Sequence, residues 1–205
     1  METPRELPIV AGHLALDFAN TVDDPLGTAR HDHVATYDDL LRWSVRVGTL
    51  DDRRMASLRR SAKRRDDEAA AALDTAHVLR DALNDTFGAV ARGADDLPSS
   101  WTRLRDLAAD AQACAELSRG EDGRLEWAWV GVKQLTVPLH PIASAAADLL
   151  VGEDLVRVKQ CARCPWLFLD VSKNHSRRWC DMNDCGRAEK IERYLARRAA
   201  RRRPR

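Results

Sequence analysis

Four cysteines fall within 25 residues of one another, in the order Cys161-x2-Cys164-x15-Cys180-x4-Cys185. Two cysteines two residues apart turn both sulfurs toward one point from a tight knuckle. A second close pair across a loop completes a tetrahedron of soft ligands, the set and geometry that zinc prefers. Four thiolates leave no open coordination position, so the one Zn2+ expected here is structural and folds the segment around it. Two rival readings are weaker. A disulfide framework needs an oxidising compartment, and METPRELPIVAGHLALDF has no basic region followed by the apolar run of a secretory signal. A thioredoxin-like Cys161-x-x-Cys164 leaves Cys180 and Cys185 without a reason to be there. His175, inside the loop, is a fifth candidate ligand that four well-spaced cysteines make unnecessary. Cys114, isolated in an alanine-rich stretch, is expected to be a small core residue.

Charge divides the chain near the same place. Residues 157–205 hold 15 Lys and Arg against 5 Asp and Glu, a net of +10, and residues 1–156 hold the complementary 18 and 27, a net of −9. Even with two negative charges on a zinc tetrathiolate, such a concentration points to a polyanionic partner such as a nucleic acid. No apolar stretch approaches the roughly 20 residues of a membrane span, so no membrane partner is expected and the chain is read as cytoplasmic. At 205 residues it is long enough for one domain with a proper core and a small appended module.

The expected fold is mainly α with a short β element: a helical domain over residues 1–152, then a small four-cysteine zinc finger with a basic C-terminal helix over residues 153–205. Thr36 caps a helix through Tyr37–Trp43, with acidic residues in its first turn and Gly48 just past its end. A second helix is predicted over about 51–60. A longer one over about 66–90 carries Leu73, Ala76, Leu83 and Phe87 at helical spacing. Another is predicted from Ser99 or Ser100 to Leu117, with Trp101, Leu104, Leu107 and Ala111 on one face. Residues 124–130 alternate polar and apolar as a half-buried strand does, and residues 132–137 are one expected partner for it. Ile142–Leu150 is the last helix of the domain, closed by Gly152, and residues 154–159 lead into the finger as a short strand.

Within the metal loop the run from Pro165 through Trp166, Phe168, Asp170, Ser172-Lys173-Asn174 and Arg177-Arg178-Trp179-Cys180 strongly resembles the CGNR-type zinc finger of bacterial proteins. Cys185-Gly186-Arg187-Ala188 stands where that family has Cys-Gly-Asn-Arg, so the asparagine is missing and the metal ligands are intact. Residues 12–23, GHLALDFANTVD, resemble the opening of the ABATE domain, described as a stress-induced transcription regulator. The resemblance implies a DNA-binding transcription regulator with a mostly helical sensor or dimerisation domain and carries over no ligand; a homodimer, which would add affinity and site length to one small finger, and a small-molecule effector are open as further partners.

The residues after Cys185 lead to a similar place independently. Ala188, Ile191, Leu195 and Ala199 form one apolar helical face, expected to pack over the zinc loop against Trp166, Phe168 or Trp179. Another face carries Arg187, Lys190, Tyr194, Arg197 and Arg201. With Arg177 and Arg178 from the loop, the basic residues among these are the expected nucleic-acid contacts. The alternatives are a protein-interaction or RNA-binding module, or a solvated helix end. In the helical domain, Asp17, Asn20, His77 and Arg80 are polar where the pattern predicts burial. They are candidates for a pocket holding a small anion, or else Arg80 pairs with Asp17 or Asp81 to tie two helices. No Ser-His-Asp order, His-Glu-x-x-His, Gly-rich phosphate loop or paired acidic motif is present, so no enzyme is expected.

Overall fold

The computed structural model of the chain describes residues 7–23, 31–120, 123–129 and 135–202, with side chains through residue 199. A short helix, α1 (Leu14–Ala19), is buried from Ala15 onward. Two-residue strands β1 (Val22–Asp23) and β2 (His31–Asp32) pair antiparallel. Helices α2 (Tyr37–Arg46), α3 (Asp52–Ala62) and α4 (Asp66–Ala91) follow. The start of α2 is set by a reciprocal capping box: the Thr36 side chain accepts from Asp39 N and the Asp39 carboxylate accepts from Thr36 N. Beyond its end, Gly48 takes φ +78°, a turn that a Cβ would resist. The long α4 is the central strut, with Ala76, Leu83 and Phe87 fully buried as their spacing predicts and Leu79 between them. It packs on α1 and on α5 (Trp101–Ala113), and α5 packs on α6 (His140–Val151).

After α5 the chain departs from expectation. The helix stops at Ala113 rather than Leu117, with Cys114 as its half-buried C-cap instead of a core residue. Strand β3 (Ala115–Arg119) then pairs antiparallel with β4 (Leu125–Trp129). The alternating strand is therefore real, but its partner precedes it. Of residues 132–137, those through 134 lie outside the described residues, and Val137 opens a 3-10 turn, Val137–Leu139. The reason is turn chemistry. Gly123 sits at φ +82°, and Gly120 N donates to Arg124 O at 2.8 Å; a tight turn of this kind brings two strands together with little loop-closure entropy.

The lead-in to the finger is a 3-10 turn, Glu153–Arg157, and only then a strand, β5 (Val158–Gln160), paired antiparallel with β6 (Leu167–Leu169). All of β6 is buried, and its period of two divides it between two cores. Val158, Leu167 and Leu169 join the helical core, while Phe168 sits with Cys161 and Cys180 on the metal side. β5 and β6 pack on α4, and β6 also on α1. The finger is thus anchored in the helical domain.

The last helix, α7 (Cys185–Arg202), corrects an expectation. Ile191 and Leu195 do not cover the zinc loop; they are 48% and 56% exposed. The metal-side cluster is closed around Phe168 by Val10, Trp166 and Trp179, with only Cys185 of α7 packed against it. Every described side chain from Lys190 to Ala199 is exposed.

Candidate functional site

The knuckle between β5 and β6 presents two sulfurs. Cys161 N donates to Trp166 O at 2.8 Å, and Ala162 N donates to Arg178 O at 2.9 Å, tying the first cysteine pair to the approach of the second. Cys180 ends the loop, and Cys185 is the first residue of α7. Just past Cys185, Gly186 N donates back to Asp181 O at 2.9 Å. A Cβ on Gly186 would meet the Met182 sulfur at 3.3 Å, so the close turn favours glycine here. The four sulfurs all lie within 4.8 Å of one another, with Cys164–Cys180 at 3.5 Å and Cys180–Cys185 at 3.8 Å. Four sulfurs at a Zn–S distance of about 2.3 Å in a tetrahedron stand about 3.8 Å apart, so this cage fits one zinc ion. His175 is not in the cage; its carbonyl accepts from Lys159 Nζ and its backbone takes φ +48°.

The electrostatics of the bare thiols agree with that fit. Hydrogen bonds from Cys164 and Cys180 drop the Cys161 thiol far below the usual range. The same contact with Cys161 pushes Cys164 up to about 12, contact with Cys161 and Cys164 raises Cys180 strongly, and burial raises Cys185. Four sulfurs this close cannot all be thiolates without a compensating cation, which a zinc ion held by Cys161, Cys164, Cys180 and Cys185 would supply.

A buried carboxylate organises the loop. Asp170 accepts from Lys159 Nζ at 2.6 Å, Ser172 N at 3.0 Å and Arg177 N at 3.1 Å. Burial alone would raise its pKa, but the Lys159 and Ser172 hydrogen bonds outweigh this and hold it well below the carboxylate range. Arg177, an expected nucleic-acid contact, is committed inside the protein. Its guanidinium lies 4.6 Å over the Phe168 ring and donates to Trp179 O, Val10 O and Cys180 O. It braces the second pair of cysteines against the N-terminal segment.

The other basic residues are arranged differently. Arg178 is exposed, its guanidinium 5.4 Å from the Trp179 ring centre. Arg187, Lys190 and Arg197 are exposed on α7, and their side chains have no hydrogen bond or ion pair among the described residues. The side chain of Arg201 lies outside the described residues. Two residues that sequence reasoning passes over fix the direction of α7: Arg163, inside the knuckle, donates both arms of its guanidinium to Glu192 at 2.8 and 2.6 Å. Their separation of 29 residues leaves no local signal.

Each of the four polar residues of the helical domain is engaged by a partner inside the protein. Asp17 accepts from Ala11 N at 2.9 Å; burial raises its pKa, and backbone hydrogen bonds oppose the rise. His77 Nε2 is 2.8 Å from Val34 O. Arg80, 0% exposed, is bidentate to Asp32 at 2.6 and 2.7 Å rather than paired with Asp17, and Asp81 is only at 3.9 Å. Asn20 clasps the finger: its Nδ2 donates to Leu167 O at 2.8 Å and its Oδ1 accepts from Leu167 N at 2.9 Å. The reason is complementarity, since an amide side chain matches one buried peptide unit with one donor and one acceptor.

Asn20→Ala is expected to cost about 2–3 kcal/mol, because it strands a buried N–H and a buried C=O on Leu167. Urea unfolding of zinc-loaded protein measures this; a loss under about 0.5 kcal/mol would show that the clasp contributes little.

Compared with known proteins, residues 12–153 match the family model ABATE, described as "Putative stress-induced transcription regulator". Residues 157–198 match the CGNR zinc finger. No curated protein matches the chain.

Proposed function

We propose that this chain, which belongs to the ABATE family and carries a CGNR zinc finger, is a transcription regulator that grips duplex DNA with the outer face of α7. The observation that carries the reading is a basic helix that begins on a zinc ligand and then stands clear of the protein. Cys185 anchors its first turn, the Arg163–Glu192 pair sets its direction, and Arg187, Lys190 and Arg197 are unpaired along it among the described residues. Arg178 adds a contact from the loop. In this reading the helical domain senses a stress signal or dimerises, and the protein is a cytoplasmic binder and not an enzyme. Among the described residues no helix is long and apolar enough to cross a membrane.

Affinity for duplex DNA is then expected to fall steeply with salt, with a slope of log K against log salt of about −0.9 per phosphate contact. Arg187→Ala/Arg197→Ala should flatten that slope by about 2 while zinc content and melting stay unchanged. Salt-independent binding, or none at low salt, counts against the reading. One observation favours a second: Ile191, Tyr194 and Leu195 are 48%, 58% and 56% exposed on the same helix, as a protein-contacting face would be. Retention of a protein or RNA in preference to duplex DNA would favour it.

A further inference from the structure

The helix α3 differs in charge from the domain around it. Residues 1–156 are net −9, yet residues 53–65 hold seven Lys and Arg and no Asp or Glu. One side of this segment is accounted for. Arg59 Nε donates to Asp38 at 2.5 Å and ties α3 to α2. On the opposite side, Arg54, Ser57, Leu58, Ser61, Arg64 and Arg65 follow one another at spacings that keep them on one stripe of the helix and its exit, and of these Arg65 is paired with Glu68.

With Val137, from the 3-10 turn before α6, these residues line a cleft of about 470 Å3. That lies within the roughly 300–1,000 Å3 usual for small-ligand sites. Its lining has an apolar floor and a cationic rim: Leu58 and Val137 are buried, and no acidic side chain lines it. The donors are available. The Arg64 guanidinium has no hydrogen bond or ion pair among the described residues, and neither do the hydroxyls of Ser57 and Ser61. Arg54 commits one nitrogen, donating to Trp129 O at 2.9 Å, and keeps the rest of its fork.

We propose that this cleft binds a small organic polyanion. Its phosphate or carboxylate groups are held by Arg54, Arg64 and the two serine hydroxyls, and its apolar part rests on Leu58 and Val137. Arg65 is already paired with Glu68 at 2.7 Å, so the anion is left to Arg54 and Arg64, whose guanidinium forks match phosphate and carboxylate oxygens two at a time. The concave shape favours a compact anion over a duplex, whose phosphates lie on a convex surface better met by a projecting helix such as α7. The site is distinct from the residues first expected to form a pocket, Asp17, Asn20, His77 and Arg80, and it does not depend on the DNA-binding reading.

The test is calorimetric titration of full-length, zinc-loaded protein with pyrophosphate, ADP and citrate at constant ionic strength. Saturable one-to-one binding of at least one is expected. Arg64→Glu should weaken it about tenfold or more, as the loss of a charge-assisted hydrogen bond does. Arg64 ties down nothing among the described residues, so melting of the variant should be unchanged. Arg60→Glu makes the same charge change outside the cleft and should alter binding less than about twofold. Preference for ADP over pyrophosphate assigns phosphate groups carried on an organic body, preference for citrate assigns carboxylates, and binding of pyrophosphate alone overturns the role given to Leu58 and Val137. The proposal is overturned by the absence of saturable binding, by equal weakening in both variants, or by an Arg64→Glu protein that loses duplex DNA and no small anion.

Discussion

Removing zinc is expected to unfold the finger and to lower the stability of the helical domain with it. Structural zinc contributes on the order of 10–16 kcal/mol in isolated finger peptides. Here the loss spreads, because Val158, Leu167 and Leu169 of the finger hairpin are part of the helical core. Undocking them exposes three aliphatic side chains, worth about 1.5–3 kcal/mol each. Chelation, or Cys161→Ser and Cys185→Ser, should therefore remove the zinc, lower far-UV helicity as α7 loses its anchor, and drop the main melting transition by about 10 °C or more. Metal analysis and calorimetry of fresh, reduced protein check both halves. Less than about one zinc per chain would sink the metal assignment. A main transition that ignores the metal would sink the coupling between finger and helical core.

Asp32→Ala should be the most damaging single change away from the metal, at about 3–5 kcal/mol, because it leaves the fully buried guanidinium of Arg80 without its carboxylate. Replacing both partners, Asp32→Ala/Arg80→Met, should recover a large part of that loss, since no uncompensated charge then remains inside. Equal destabilisation by the single and double variants would show that packing, not charge, is at stake. The pair also has a pH signature. Burial tends to raise the Asp32 carboxyl, but the Arg80 hydrogen bonds and its charge outweigh this and hold it below its usual value. A carboxyl depressed in the folded state adds stability that is complete above its unfolded pKa of about 3.9 and is lost as pH falls through the folded pKa. The stability difference between wild type and Asp32→Ala, followed by urea unfolding, should accordingly shrink below about pH 4. Taking the difference removes the loss of zinc at low pH, which both proteins share.

How much of the fold is legible in the sequence follows the range of the interaction involved. Thr36 and Gly48 bound α2 as expected, because a cap and a turn glycine act within a few residues. The α4 face built on Ala76, Leu83 and Phe87 is likewise a matter of local period. The end of α5 escapes sequence reasoning because residues 114–117 suit a helix by composition, while the glycine turn ahead of β4 draws them into a hairpin. Arg80 is recognisable as polar in an apolar setting, yet its partner Asp32 sits 48 residues away on a two-residue strand with no periodicity to announce it. Arg177 matches a basic surface by composition and is instead a brace, since only the folded loop brings three carbonyls to its guanidinium.

The order of residues alone was enough for the four zinc ligands, the basic C-terminal helix and the mainly helical domain before them. Ligand spacing, charge runs and helical periodicity are properties of neighbouring residues and survive without coordinates. Packing in three dimensions selected which polar residues face inward and what they hold: Asn20 on Leu167, Arg80 on Asp32, Arg163 on Glu192. It also left the apolar face of α7 exposed, with Val10, Trp166 and Trp179 closing the cluster around Phe168. Those outcomes depend on which distant groups compete for one buried donor, acceptor or cavity, and that competition is settled only when the whole chain packs.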